Sequence, residues 1–262
     1  MTFFAPMSDE PAVLTERRGG VLVITLNRPD ARNAVNAALA EGIGKALDEL
    51  DGEAELSVGV ITGAGKGFSS GMDLKAFVAG ESAWYGDRGF AGIVQRPADK
   101  PLIAAVEGFA VAGGCEIALA CDLIVASRGA RFGIPEVKRS LVAAGGALLR
   151  LPRRLPYGLA MELALTGDPI DAERAHALGL VNVVADEGGA LDGALELADR
   201  IAANGPLALA ATKRILASSS AWPEDEFWDR QGEISGPVFA SEDAREGAKA
   251  FAEKRDPVWK GR

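Results

Sequence analysis

The chain has 262 residues, a net charge of −9 at pH 7, 48% hydrophobic and 25% charged residues, the balance of a globular protein with a large core. One histidine and two cysteines stand against 32 glycines, about 12% where about 7% is usual. Zinc sites are built from His and Cys clusters, so so few of either points away from metal hydrolysis, and two cysteines make no disulfide framework. The acidic balance also excludes the basic patch of a nucleic-acid surface.

Residues 1–12 read as a loose leader without a basic stretch running into an apolar one, so a cytoplasmic location is expected. The first strand signal is the β-branched run Val21-Leu22-Val23-Ile24-Thr25-Leu26, closed by the turn residues Asn27-Arg28-Pro29-Asp30. A helix follows: Leu39, Ile43, Ala46, Leu47 and Leu50 recur at helical spacing, with Asn36 as N-cap and Gly52 as stop. Leu56 to Thr62 is a second strand, and a glycine loop at residues 63–67 leads to a helix at residues 73–77. Pro101 to Val106 is a buried strand, residues 107–114 a second glycine loop, residues 115–120 a helix, and Leu123 to Ala126 a strand. The apolar stretch Leu102 to Ala126 is interrupted by Glu107, Glu116 and Asp122, which marks core rather than a membrane span. Strands alternating with helices imply crossover units. Past residue 156 the strands fade, with Leu180 to Val184 the last clear one. Residues 189–204, 206–219, 224–234 and 241–254 read as helices, the last two separated by Gly236-Pro237.

The two glycine loops are the places where chemistry is expected, because a helix starting after a strand aims unpaired N–H groups and its positive end at the loop mouth. One such segment is Phe68-Ser69-Ser70-Gly71-Met72-Asp73-Leu74 and the other Val111-Ala112-Gly113-Gly114-Cys115-Glu116; neither matches a phosphate-loop pattern. Taken alone, a glycine at a helix start is more often a tight turn. Glu116, three residues after Gly113, shares its mouth, although a carboxylate there also complements the helix dipole. Glu136, in Phe132-Gly133-Ile134-Pro135-Glu136, is a second carboxylate flanked by apolar residues, which in isolation reads as a solvated loop acid.

Phe68-Ser-Ser-Gly-Met-Asp-Leu74, Ala104-Ala-Val-Glu-Gly-Phe-Ala-Val-Ala-Gly-Gly-Cys-Glu116 and Phe132-Gly-Ile-Pro-Glu136, in this order and spacing, closely resemble the crotonase (enoyl-CoA hydratase/isomerase) superfamily. The resemblance runs from about Val21 to the C-terminus. It implies an α/β fold, a spiral of repeated ββα units over residues 1–195, followed by a C-terminal helical trimerisation region over residues 196–262. It further implies an oxyanion hole made by the backbone N–H groups of Met72 and Gly113, which hold a thioester carbonyl as it becomes an enolate. Glu116 and Glu136 are then the acid/base pair that adds water across a 2,3-double bond.

Two glutamates favour the hydratase over the isomerases of the family, which generally work with the carboxylate at the Glu136 position alone. The segment Arg139 to Ala147 contains no acid, which disfavours dehalogenase-like chemistry, whereas the β-hydroxyacyl-CoA hydrolases share the same frame. In this segment Ser140, Ala143 and Ala144 replace the common Gly-x-x-Pro-Gly pattern, and the added methyl groups bear on chain length. The expected function is enoyl-CoA hydratase, the alternatives being an isomerase, another acyl-CoA lyase or hydrolase, or a non-catalytic acyl-CoA binder. Trp84, Tyr85 and Phe90 are candidates either for the acyl pocket or for packing, and Asp73 is a candidate N-cap. By the resemblance, the coenzyme A thioester is the substrate, bound by Arg28, Arg32, Ala34, Ser70, Gly71, Asp73, Leu74, Lys75, Gly114, Phe251 and Lys254, with no metal and no other cofactor. Lys66 is a further candidate cation near the coenzyme, and Arg255 joins Phe251 and Lys254 as a group reaching a neighbour's site. A homotrimer or dimer of trimers is expected, with no nucleic-acid or membrane partner. His176 is assigned no chemistry.

Overall fold

The computed structural model describes residues 10–262, so most of the expected leader lies outside the described residues. Strand β1 (Val13–Arg18) pairs antiparallel with β2 (Val21–Leu26) through a turn at Gly19. Helix α1 (Ala37–Gly52) starts where the Asn36 side chain accepts from the Leu39 amide at 3.1 Å, and buries Leu39, Ile43, Leu47 and Leu50 as the spacing predicts. Next come β3 (Val58–Gly63), the short helix α2 (Leu74–Val78), and a small hairpin of β4 (Trp84–Tyr85) and β5 (Gly89–Phe90). The centre of the chain runs β6 (Leu102–Val106), β7 (Phe109–Val111), α3 (Gly113–Ala120), β8 (Leu123–Ser127) and β9 (Arg131–Gly133), then a 3-10 turn at Pro135–Arg139. Beyond it lie α4 (Ala147–Arg154), α5 (Tyr157–Thr166), β10 (Ile170–Asp171), α6 (Ala172–Ala177), β11 (Val183–Ala185), α7 (Ala190–Ala202), α8 (Pro206–Ser219), α9 (Phe227–Ala240) and α10 (Glu242–Glu253).

The large sheet has the order β1-β2-β3-β6-β8-β11, parallel throughout except for the β1 edge. Alternate residues point to opposite faces. Val21, Val58, Val60, Ile103, Ala105 and Val125 pack with Ala194 and Ala198 of α7, while Leu22, Ile24, Ile61, Ala104 and Ile124 face the main core with α1 and α3. After each of β3, β6 and β8 the chain leaves the sheet and lays a second short extended piece beside the next: Ser69 bridges Ala110, and β7 pairs with β9 at Val111↔Gly133. Each piece then turns into α2, α3 or the 3-10 turn. This three-fold repetition is the expected ββα spiral.

Several elements depart from the sequence pattern. The first strand lies one hairpin earlier than Val21: the VLTERR edge strand is mostly exposed, so it carries no apolar alternation. The loop expected at residues 107–114 contains β7, too short for a periodicity to register. The final strand is displaced from Leu180–Val184 to Val183–Ala185, because Leu180 and Val181 are buried in the main core instead. The break expected at Gly236-Pro237 is absent: α9 continues through Pro237 to Ala240, the proline removing only its own N–H from the helical ladder. The expected division at 195/196 falls inside α7, whose Ala194 and Ala198 belong to the sheet's second core.

Candidate active site

The two glycine loops interlock through backbone contact. A Cβ on Gly71 would lie 2.6 Å from the Gly113 nitrogen, and one on Gly114 would lie 2.1 Å from the Ser69 carbonyl oxygen. Only glycine permits that approach at both positions, and Gly71 also holds φ +87. On the far side, segments 32–35 and 70–73 run alongside each other: the Ser70 amide donates to Arg32 O at 3.1 Å, Val35 N to Gly71 O at 2.8 Å and Asp73 N to Val35 O at 2.9 Å. Successive amides of an extended chain alternate in direction. With Gly71 and Asp73 turned toward Val35, the Met72 N–H is turned the other way. Gly113 is the first residue of α3, so its N–H has no intrahelical acceptor. Among the described residues neither amide donates a backbone or side-chain hydrogen bond. Two free donors at adjoining helix starts can hold a developing oxyanion.

Glu116 lies on the first turn of α3 and is 4% exposed. Its Oε1 accepts from the Ala147 amide at 3.2 Å. A Cβ at Gly145 would lie 2.3 Å from Oε2, so the turn before α4 closes directly over the carboxylate. Burial pushes the Glu116 carboxyl up to about 7; the Ala147 amide opposes this, the nearby Glu136 charge adds to it, and the Gly145 amide and Arg150 oppose it. Glu136 follows Pro135 at the start of the 3-10 turn, three residues past Gly133, and the β7–β9 pairing places that turn beside the start of α3. The Ala112 amide donates to Gly133 O at 2.9 Å, which ties the two strand ends together. Burial raises the Glu136 carboxyl as well, and among the described residues its Oε2 is buried with no hydrogen-bond partner. An unpartnered buried carboxylate oxygen is costly and is a group available for proton transfer.

Arg28, Arg32, Ala34, Ser70, Gly71, Asp73, Leu74, Lys75 and Gly114 are brought together along this rim. Arg28 is half-buried; it donates to Asp73 Oδ2 at 3.0 Å and to the Ala34 carbonyl, so it braces the rim before it meets any ligand. Asp73 is the N-cap of α2, accepting from the Lys75 and Ala76 amides. Arg32, Lys66, Leu74 and Lys75 are exposed. Among the described residues Phe251 and Lys254 are not joined to this site by any hydrogen bond or ion pair: they belong to the α10 end, which packs on α9, and Arg255 is paired with Glu246 and Glu253. Of the three aromatics, Tyr85 packs against Gly44 of α1, whereas the buried Phe90 ring reaches Gly113 and stacks edge-on with Trp84 at 5.4 Å. His176 bonds Val181 O through Nδ1 at 2.8 Å, a local loop contact.

Some site residues carry no motif of their own. Asn33, fully buried at φ +52, donates to Ala64 O and Gly67 O at 2.9 Å each and accepts from the Arg28 amide, while its carbonyl takes the Ser69 hydroxyl at 2.8 Å. It staples the rim to the first glycine loop, and its one sequence signal is an Asn just past a Pro-Asp turn. Gly145 and Ala147 lie against Glu116, and the adjacent glycines at 145–146 were the available sign. Among the described residues no cluster of His, Cys, Asp and Glu is arranged to hold a metal ion, and no helix is long and apolar enough to cross a membrane.

Residues 16–262 match the enoyl-CoA hydratase/isomerase family. The chain belongs to that family. A crystal structure of an enoyl-CoA hydratase from Mycobacterium tuberculosis H37Rv is 60% identical and superposes with a TM-score of 0.95, covering 97% of this chain and 100% of that one. A second enoyl-CoA hydratase from the same organism is 44% identical over 98% of this chain and all of its own length. A carnitinyl-CoA dehydratase of Salmonella agona is 45% identical, over 94% of this chain and 97% of its own. The family and the spiral fold expected from the three linked motifs are therefore those observed.

Proposed function

We propose that this family member is an enoyl-CoA hydratase, adding water syn across a trans-2-enoyl-CoA to give the 3-hydroxyacyl-CoA, and running in reverse as a dehydratase. The observation that carries the reading is a buried Glu116 and a half-buried Glu136 with one oxygen out of solvent, both with raised proton affinity, beside two unpartnered amides. The thioester carbonyl oxygen takes hydrogen bonds from Met72 N–H and Gly113 N–H, which draws electrons from the double bond. Ionised Glu116 accepts a proton from water as its oxygen bonds to C3, and protonated Glu136 gives its proton to C2 as the enolate collapses. One proton enters the pair and one leaves, so the pair returns to its starting charge with its roles exchanged, and redistribution of that proton resets the site.

Coenzyme A is placed along the rim formed by Arg28, Arg32, Ala34 and residues 70–75, with Lys66 at its edge. Among the described residues α8 and α9 bury none of their own side chains and expose Leu216, Trp228 and Phe239, as α10 exposes Phe251. Exposed apolar surface of this extent supports assembly through the C-terminal helices as a homotrimer or a dimer of trimers, which sedimentation would measure. Both cysteines are buried and free, in keeping with a cytoplasmic location.

A panel of enoyl-, 3-hydroxyacyl- and carnitinyl-CoA thioesters, followed by loss or gain of the conjugated thioester chromophore and by mass spectrometry, tests the reading. Hydration of at least one trans-2-enoyl-CoA is expected, with Glu136→Gln slower by about 10²–10⁴-fold. Turnover of none of them, or full activity in Glu136→Gln, defeats the assignment.

A further inference from the structure

Helix α4 carries Arg150 and Arg154 one turn apart, and both guanidinium groups run inward instead of into solvent. Arg150 donates through Nη2 to Val94 O at 2.5 Å, and Arg154 donates to Cys121 O. Both are half-buried, and neither meets a carboxylate at ion-pair distance among the described residues. Arg150 is further placed by Gly146: a Cβ there would lie 2.2 Å from Nη1. The guanidinium is thus folded over the turn whose residues 145 and 147 close on Glu116. The acidic groups acting on Arg150 are the Cys121 thiol and Glu116. Burial pushes that thiol up to about 12, so it is neutral at physiological pH, and Glu116, held against the same 145–146 turn, is the carboxylate that acts on Arg150.

The surroundings of Glu116 are otherwise poor in charge. Helix α3 is packed by β7, which brings no ionisable side chain, and by α4, which brings Arg150, Arg153 and Arg154. Arg153 is exposed and Arg154 is directed to Cys121 O. The 3-10 turn contributes Glu136, along with the exposed Lys138 and Arg139. Cys115, next in sequence, is pushed up to about 12 and stays neutral. Burial raises both carboxyls, so without a nearby cation the pair tends to keep both protons toward neutral pH, whereas hydration as described needs one ionised and one protonated.

We propose that Arg150 is a positioning residue: tied to Val94 O and folded over Gly146, its guanidinium supplies the positive charge that lets Glu116 stand ionised beside Glu136, so that the pair holds one proton. The proposal rests on the hydratase reading for its consequence in turnover, but the charge coupling itself is measurable without turnover.

Two measurements on wild type, Arg150→Lys and Arg150→Met test it. In the first, kcat is followed from pH 5 to 9 on a trans-2-enoyl-CoA that the wild type hydrates. Removal of the charge in Arg150→Met moves the midpoint of the acidic limb upward by roughly 0.5–1 unit, which reads as a three- to tenfold loss of kcat below that midpoint and a much smaller loss on the plateau. Arg150→Lys, which keeps the charge, restores the wild-type midpoint. An equal loss at every pH in Arg150→Met, or the same displacement in Arg150→Lys, overturns the proposal in favour of a packing role. In the second, the Glu116 carboxyl band is titrated by infrared difference spectroscopy, with Glu116→Gln as the blank, and the same displacement is expected. If wild type hydrates nothing but the band still moves in Arg150→Met alone, the hydratase reading fails and the coupling stands; an unmoved band defeats the coupling.

Discussion

Glu116→Gln keeps the shape of the buried side chain and removes its charge, so it separates the energetic burden of the site from its use. In the folded chain burial holds this carboxyl at about 7 against an ordinary 4.5, a difference of about 2.5 units or, at 1.36 kcal/mol per unit, about 3 kcal/mol. The sign is opposite to that of a salt-bridged acid. Between pH 4.5 and 7 the folded chain retains a proton that the unfolded chain has released, so stability falls as pH rises through this window and stays lower above it. Glutamine has no such dependence. Its Oε1 can still accept from the Ala147 amide, whereas its NH2 meets the Gly145 amide that favoured the carboxylate, donor against donor, which costs about 1 kcal/mol. The variant is therefore expected to match or fall slightly below wild type at pH 5 and to exceed it by about 2 kcal/mol at pH 8, or about 4–8 °C in Tm for a chain of this size. Scanning calorimetry at both pH values and one fixed protomer concentration checks this, concentration being held because assembly also shifts Tm. Hydration by the same variant should drop by about 10²–10⁴-fold. A stability gap that is equal at pH 5 and pH 8, or a variant less stable than wild type at pH 8, would refute the account of Glu116 as a carboxyl held against its solvation.

Gly71→Ala places a methyl group 2.6 Å from the Gly113 nitrogen at a residue with φ +87; steady-state kinetics should show kcat reduced by about 10²–10³, the effect of a lost oxyanion donor. Asp73→Ala removes the N-cap of α2 and the ion-pair partner of Arg28 at once, and denaturant titration should show a loss of about 1–2 kcal/mol, with KM for the thioester rising more than kcat falls.

Much of the fold was legible because its signals are local. Asn36 with Leu39, Ile43 and Leu47 marks α1, and the β-branched run at residues 21–26 and the apolar run at residues 102–106 mark strands buried on both faces of a parallel sheet. Edge strand β1 and the three-residue strands β7 and β9 escaped, the first because an exposed edge needs no apolar face and the others because three residues hold no period. Helices α5 and α6 filled the stretch past residue 156 in which the strand pattern had simply faded, and α4 lies just before it, where no element was expected, with Pro152 accepted within the helix.

For the active site, the sequence by itself determined the residue types: two glycine-led helix starts, and a glutamate on each of two turns at the family's spacing. What only the tertiary structure decided is their state. The Gly71 Cα meets Gly113 across a gap of 42 residues in sequence, Ala147 reaches back to Glu116 over 31, and Asn33 spans 31 and 34 residues to hold the first loop. Proton affinity and donor direction depend on what lies within a few ångströms in space. No local pattern of side chains encodes that neighbourhood, which is why Glu116 and Gly113 could be named from the sequence while the burial that raises one and the close approach of Gly71 to the other appear only in the folded chain.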